Sequence, residues 1–103
     1  MKKIIDSKLY NTETANEIGS WNNNYNYGDF QWCEETLFKT KRGKYFLYGE
    51  GGPMSVYSIM CGNNSWSGSC NIIPQSDAEA IFWAEEHLTA DEYIDEFKTV
   101  EEA

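Results

Sequence analysis

Phe30-Gln31-Trp32-Cys33-Glu34-Glu35-Thr36-Leu37-Phe38-Lys39-Thr40, then Lys41-Arg42-Gly43-Lys44, then Tyr45-Phe46-Leu47-Tyr48-Gly49-Glu50 is the stretch that decides the fold. Two runs rich in aromatic and apolar residues flank a short basic turn with one glycine, which predicts an antiparallel hairpin with strands over 30–40 and 45–50. Side chains alternate along a strand, so Trp32, Glu34, Thr36 and Phe38 share one face while Cys33, Glu35 and Leu37 share the other. On the return strand Phe46 and Tyr48 oppose Tyr45 and Leu47. Both faces carry apolar groups, which places the hairpin centrally in an antiparallel sheet. The turn and its flanks hold Lys39, Lys41, Arg42 and Lys44. These bases read as a solvated tip that blunts edge pairing, as counter-charge for an acidic segment elsewhere, or as a contact to nucleic acid held by a partner.

Upstream, Lys3-Ile4-Ile5-Asp6 reads as a short strand, Ser7-Lys8 as a turn and Leu9-Tyr10 as a second short strand. In Asn11-Thr12-Glu13-Thr14-Ala15-Asn16-Glu17-Ile18-Gly19 an Asn or Thr cap, an early Glu, and Ala15 and Ile18 three apart predict a short helix that Gly19 ends. Residues 20–29 form a loop of asparagines carrying Trp21, Tyr25 and Tyr27, either folded on the core or presented as contact anchors. Downstream, Gly49-Glu50-Gly51-Gly52-Pro53 bends the chain and lacks the phosphate-loop signature. Glu50 there reads as a turn residue, with no second carboxylate or histidine beside it for acid–base chemistry. Met54 to Met60 reads as a strand or short helix, 61–70 as a glycine- and serine-rich loop around Trp66, and Asn71-Ile72-Ile73 as a strand stopped by Pro74.

The C-terminal part is helical. Ser76-Asp77-Ala78-Glu79 and Thr89-Ala90-Asp91-Glu92 are two capping boxes, each opening a helix. The periodicity turns Ala78, Ile81, Phe82 and Leu88 inward on the first helix, with Glu85 at the rim and Trp83 beside the stripe. On the second it turns Tyr93, Ile94 and Phe97 inward.

The 103 residues fit one domain, 1–103, and their 41% hydrophobic content suffices for a core. No apolar run approaches a membrane span, and the short apolar stretch after Lys2-Lys3 is no secretory signal, so the expected location is cytoplasmic, without membrane association. The net charge is −9. Residues 1–74 are balanced, whereas 75–103 carry Asp77, Glu79, Glu85, Glu86, Asp91, Glu92, Asp95, Glu96, Glu101 and Glu102 against Lys98 alone. An acidic body disfavours direct nucleic-acid binding and favours a basic protein partner. It also serves plain solubility. Asp91/Asp95 and Glu92/Glu96 are repulsive pairs four apart, which a surface that binds cations has reason to keep. As a contact surface the sequence therefore nominates Glu85, Glu86, Asp91, Glu92, Asp95 and Glu96, with Trp21, Tyr25 and Tyr27 as aromatic anchors.

No catalytic motif emerges. Cys33, Cys61, Cys70 and His87 constitute the alternative: a zinc site or a thiol centre. Their spacing lacks a C-x2-C pair, the odd number of cysteines argues against a disulfide framework, and the Cys61–Cys70 pairing stays open. No cofactor is implied.

Three stretches together carry a resemblance. They are Lys2-Lys3-Ile4-Ile5-Asp6 with Tyr10-Asn11-Thr12-Glu13-Thr14-Ala15, Glu34-Glu35-Thr36-Leu37-Phe38-Lys39 into Phe46-Leu47-Tyr48-Gly49-Glu50-Gly51-Gly52-Pro53-Met54, and Asn64-Ser65-Trp66-Ser67-Gly68 before Ile72-Ile73-Pro74. Over residues 2–88 the chain resembles small acidic proteins of Gram-positive prophages and integrative elements, among which are anti-CRISPR proteins. The resemblance implies a non-enzymatic inhibitor of a Cas9-like effector or its nucleic-acid complex. It carries over no catalytic residues. The other reading is a mobile-element adaptor with a non-Cas partner. The expected fold is α+β: a small antiparallel sheet around the 30–50 hairpin, covered by C-terminal helices and a short N-terminal helix, as a monomer or small homo-oligomer.

Overall fold

A computed structural model describes residues 1–62 and 65–103. The chain forms β1 (Lys2–Ile5), β2 (Lys8–Asn11), β3 (Asn16–Asn22), β4 (Cys33–Lys39), β5 (Tyr45–Gly51), β6 (Ile59–Gly62), β7 (Ser65–Ser67), β8 (Ser69–Gln75), α1 (Asp77–His87) and α2 (Ala90–Phe97). The main sheet is antiparallel with order β3-β4-β5-β8, and β1–β2 and β6–β7 are separate two-stranded ribbons. The fold is α+β, with the decisive hairpin as the two inner strands.

The hairpin register is Leu37 opposite Leu47 and Phe38 opposite Phe46. Consecutive residues therefore build two cores on opposite faces. On one, Leu37, Tyr45 and Leu47 meet Ala80, Trp83 and Ala84 of α1, with Ile18, Trp21, Leu88, Tyr93 and Phe97 around them. On the other, Phe38, Phe46 and Ile72 are covered by Tyr10 from the β1–β2 ribbon. Phe38 stacks on Phe46 at 5.2 Å, and Tyr10 meets Phe46 edge-on at 5.5 Å. Each fully buried large side chain contributes about 1.5–3 kcal/mol. A helix layer on one face and a ribbon on the other thus explain why both faces of the hairpin are apolar.

The structure corrects several expectations. No helix forms over 11–19. The Asn11 side chain accepts the Glu13 N–H and its carbonyl accepts the Ala15 N–H, which closes one turn. Such local side-chain bonds compete with helix propagation, and residues 16–22 gain a full ladder against β4 instead. The register shifts between Glu17 and Gly19. That bulge turns Ile18 toward the helices beside Trp21.

The first turn is Asp6-Ser7 rather than Ser7-Lys8, since Ile5 pairs with Lys8. Both turn residues have positive φ, 52° and 63°, as the twist of a two-residue hairpin turn requires. Strand β4 starts at Cys33, so Phe30–Trp32 belong to the preceding loop. Residues 61–70 are largely ribbon and strand, while Asn63 and Asn64, assigned to a loop from the sequence, lie outside the described residues. Pro74 does not stop its strand. It lies within β8 at the sheet edge, where a missing N–H costs no inner ladder bond.

Candidate functional site

Both predicted capping boxes form. Ser76 Oγ accepts the Glu79 N–H and the Glu79 carboxylate accepts the Ser76 N–H. Thr89 and Glu92 repeat the exchange. These caps fix where α1 and α2 begin and hence which way their side chains point. On α1 the inward stripe is Ala80, Trp83, Ala84, His87 and Leu88, an i, i+3, i+4, i+7, i+8 pattern that includes two alanines. Small residues let the helix lie close to the sheet, and Gly19 on β3 has its Cα directly under Leu88. The expected stripe through Ala78 and Phe82 was out of phase. Phe82 points to solvent at 65% exposure.

Phe82 lies with Glu79, Glu86, Ala78 and His87 around a shallow outer groove of about 370 Å³ on α1. The backbone N–H of Ser76 holds the Glu79 carboxyl below the usual carboxylate range, so it remains ionised. Beside it, a second crease of about 550 Å³ runs between α1 and α2. Leu88, Tyr93, Ile94 and Val100 supply its apolar surface, with Glu85 and Glu101 among its lining. Ile94, expected to face inward, is 46% exposed there and Val100 52%. The outer side of the helix layer thus presents apolar groups among carboxylates.

The nominated acids divide into two sets. Glu85, Glu86, Asp91 and Asp95 are exposed. Glu96 is not free: it accepts from Lys39 Nζ at 3.0 Å and from the Tyr45 hydroxyl at 2.5 Å. Burial first, then this hydrogen bond, pushes the Tyr45 hydroxyl up in pKa. Glu92 is engaged in its cap. Among the described residues Lys39–Glu96 is the one ion pair, so the other helix acids have no ionic counterpart in the fold. Lys39 therefore supplies counter-charge to the acidic segment.

The nominated aromatics divide as well. Trp21 packs into the helix-side core and its ring lies 4.4 Å from His87, which Trp83 approaches at 5.0 Å. Tyr25 is exposed. Tyr27 meets Trp32 edge-on at 4.9 Å and lines a cleft of about 410 Å³ with Asp29, Glu50 and Cys70. No residue of either helix lines that cleft. Trp21, Tyr25 and Tyr27 are thus not gathered onto one surface with the acids. Phe82 is the exposed aromatic that lies beside one of them, Glu86, and the signal for it was the Ala80-x-x-x-Ala84 spacing, which marks the helix face pressed on the sheet.

Glu35 is the polar hinge-pin of the helix-side core. Trp83 Nε1 donates to one carboxylate oxygen at 3.0 Å and the Tyr57 hydroxyl donates to the other. Tyr57 lies across Gly49, where any side chain would collide with its ring. Burial first, then the bond to Glu35, pushes the Tyr57 hydroxyl up. With both oxygens engaged, Glu35 anchors α1 and the 53–58 loop to the sheet.

The cysteine and histidine set does not converge. Cys33 is buried, while Cys61 and Cys70 are exposed on β6 and β8, and all are free thiols. Burial, with the Glu35 charge second, pushes the Cys33 thiol up, away from thiolate chemistry. Among the described residues no group of three or more His, Cys, Asp or Glu side chains is arranged to hold a metal ion. No helix of the described residues is long and apolar enough to cross a membrane.

No family model, curated protein or solved structure matches the chain.

Proposed function

We propose that this chain is a non-enzymatic inhibitor of the anti-CRISPR kind, acting inside a bacterial host cell by docking its acidic helix layer on a basic surface of a Cas9-like effector. The observation that carries this reading is Phe82, a large exposed aromatic flanked by Glu79 and Glu86, neither of which forms an ion pair among the described residues. A large aromatic anchor inside a polar rim is the usual anatomy of an interface. Carboxylates at Glu85, Glu86, Asp91 and Asp95 offer a basic channel what nucleic-acid phosphates offer it. Electrostatic steering then raises the association rate and falls as salt screens it.

The partner contact centres on Phe82, Glu85, Glu86, Asp91 and Asp95, with the α1–α2 crease beside them. Glu92, Glu96 and Trp21 hold this surface in shape. The test is capture of a purified Cas9–guide complex on immobilised protein at low and moderate salt, with DNA cleavage assayed in parallel. Salt-sensitive capture with loss of cleavage supports the reading. Full cleavage with no capture overturns it for that effector and leaves the adaptor of a mobile element with a different basic partner.

A further inference from the structure

The β1–β2 turn and the β4–β5 turn are more than thirty residues apart in sequence, yet they line one groove of about 490 Å³. Ser7 and Lys8 come from the first, and Thr40, Lys41, Arg42 and Lys44 from the second. Four of the chain's eight Lys and Arg residues therefore share one groove in a protein of net charge −9. No carboxylate lines it, although Asp6 precedes Ser7 in the turn. None of these four cations forms an ion pair among the described residues.

We propose that this groove binds the phosphate oxyanion of a phosphate ester. Like charges held side by side repel, and an anion between them removes that cost. Arg42 provides a planar fork for two oxygens, and Lys8, Lys41 and Lys44 provide point charges. Thr40 Oγ1 accepts the Lys44 N–H at 3.0 Å, which leaves its own proton to donate outward, and Ser7 adds a second hydroxyl. A single charged residue suffices to blunt a hairpin tip, so four drawn from two hairpins exceed that need.

Net charge does not oppose the site. The β1–β2 ribbon lies on one face of the sheet and the acidic helices on the other. The Glu96 carboxylate, which reaches this end of the hairpin, is occupied by Lys39 and the Tyr45 hydroxyl, and it does not line the groove. Tyr10 is the one aromatic residue lining the groove, and it is buried edge-on to Phe46, so it offers no open face for stacking a base. Recognition is therefore of phosphate, not of base identity.

The proposal is independent of the acidic-face reading, and its test needs no effector. A labelled mixed-sequence single-stranded oligonucleotide is titrated with the full chain by fluorescence anisotropy, with ATP as competitor. Parallel titrations use Lys41→Ala/Arg42→Ala and Lys8→Ala/Lys44→Ala. The expected result is saturable binding weakened at least tenfold in either double variant, with thermal melting unchanged. Affinity that rises with oligonucleotide length, with a log–log salt slope reduced by about 1.4 per two cations removed, identifies a nucleic-acid backbone as the source. Length-independent binding displaced by ATP identifies a free phosphate ester. Absence of binding by both the oligonucleotide and ATP at low salt overturns the proposal, as does binding that the double variants leave unchanged.

Discussion

Lys39 Nζ lies 3.0 Å from Glu96 Oε2, tying the end of β4 to the last full turn of α2 across 57 positions of sequence. The same carboxylate takes the Tyr45 hydroxyl, and the Lys39 ammonium sits 5.4 Å above the Tyr45 ring centre. Glu96 keeps only 15% of its side chain in solvent. Together with the packing of Tyr93 and Phe97 on the core, this trio secures a helix of eight residues that has no fully buried side chain of its own.

Glu96→Gln should therefore lower stability although it removes no bulk. Losing charge from a hydrogen-bonded, largely covered carboxylate costs about 1–3 kcal/mol. Lys39→Met should cost about 1 kcal/mol or less, because its ammonium is more exposed. Thermal unfolding by circular dichroism, where 1 kcal/mol moves Tm by about 4–8 °C in a chain of this size, separates the two.

Glu35→Ala should be more damaging. It strands the Trp83 indole N–H and the Tyr57 hydroxyl, and each unsatisfied buried donor costs about 1–3 kcal/mol. Gly49→Ala should act through the same contact by expelling the Tyr57 ring. Near-ultraviolet circular dichroism reports both as a loss of the Trp83 environment, with a fall in Tm. Unchanged spectra in Glu35→Ala would remove Glu35 from its anchoring role.

Alkaline pH should destabilise the fold. Burial leads in pushing up the hydroxyls of Tyr45, Tyr48 and Tyr57, and Tyr48 reaches about 12, helped by its bond to Cys70. An unfolded tyrosine ionises near about 10. A folded pKa above the unfolded value means that the folded state holds protons the unfolded state releases. The contribution is whole below pH 10 and is lost progressively as pH rises toward 12 and beyond. Tm measured from pH 8 to 12 should be level at first and then fall, and Tyr57→Phe should fall less steeply than the parent.

The hairpin and both helices were legible because each has a strong local signal: alternation with a basic turn, and two capping boxes. The helix forecast over 11–19 failed because Asn11 and Thr12 can close a turn as readily as cap a helix. What settles 16–22 is the free edge of β4, a tertiary fact. The acids were legible as a cluster, but which were available was not. Glu96 is distinguished from Asp95 only by Lys39 and Tyr45 arriving from the hairpin. The basic groove was half visible as Lys41-Arg42-Gly43-Lys44, and Lys8 joins it only through packing of the β1–β2 ribbon beside the β4–β5 hairpin.

Charge reversal should separate surface from scaffold. Glu85→Lys, Glu86→Lys, Asp91→Lys and Asp95→Lys together should change stability by about 2 kcal/mol at most and leave the chain folded, since exposed substitutions each change it by about 0.5 kcal/mol or less. Glu96→Lys alone should lower it, placing a cation beside Lys39. The quadruple variant should lose effector capture while remaining folded by far-ultraviolet circular dichroism.

The most direct measurement is the affinity for a Cas9–guide complex by isothermal titration, comparing the parent chain with Phe82→Ser/Glu86→Lys at two salt concentrations. The account predicts measurable, salt-weakened binding by the parent and at least a tenfold loss in a variant whose melting curve is unaltered. Equal affinity of parent and folded variant, or no heat of binding from the parent, would contradict the claim that this helix layer is the docking surface for such an effector.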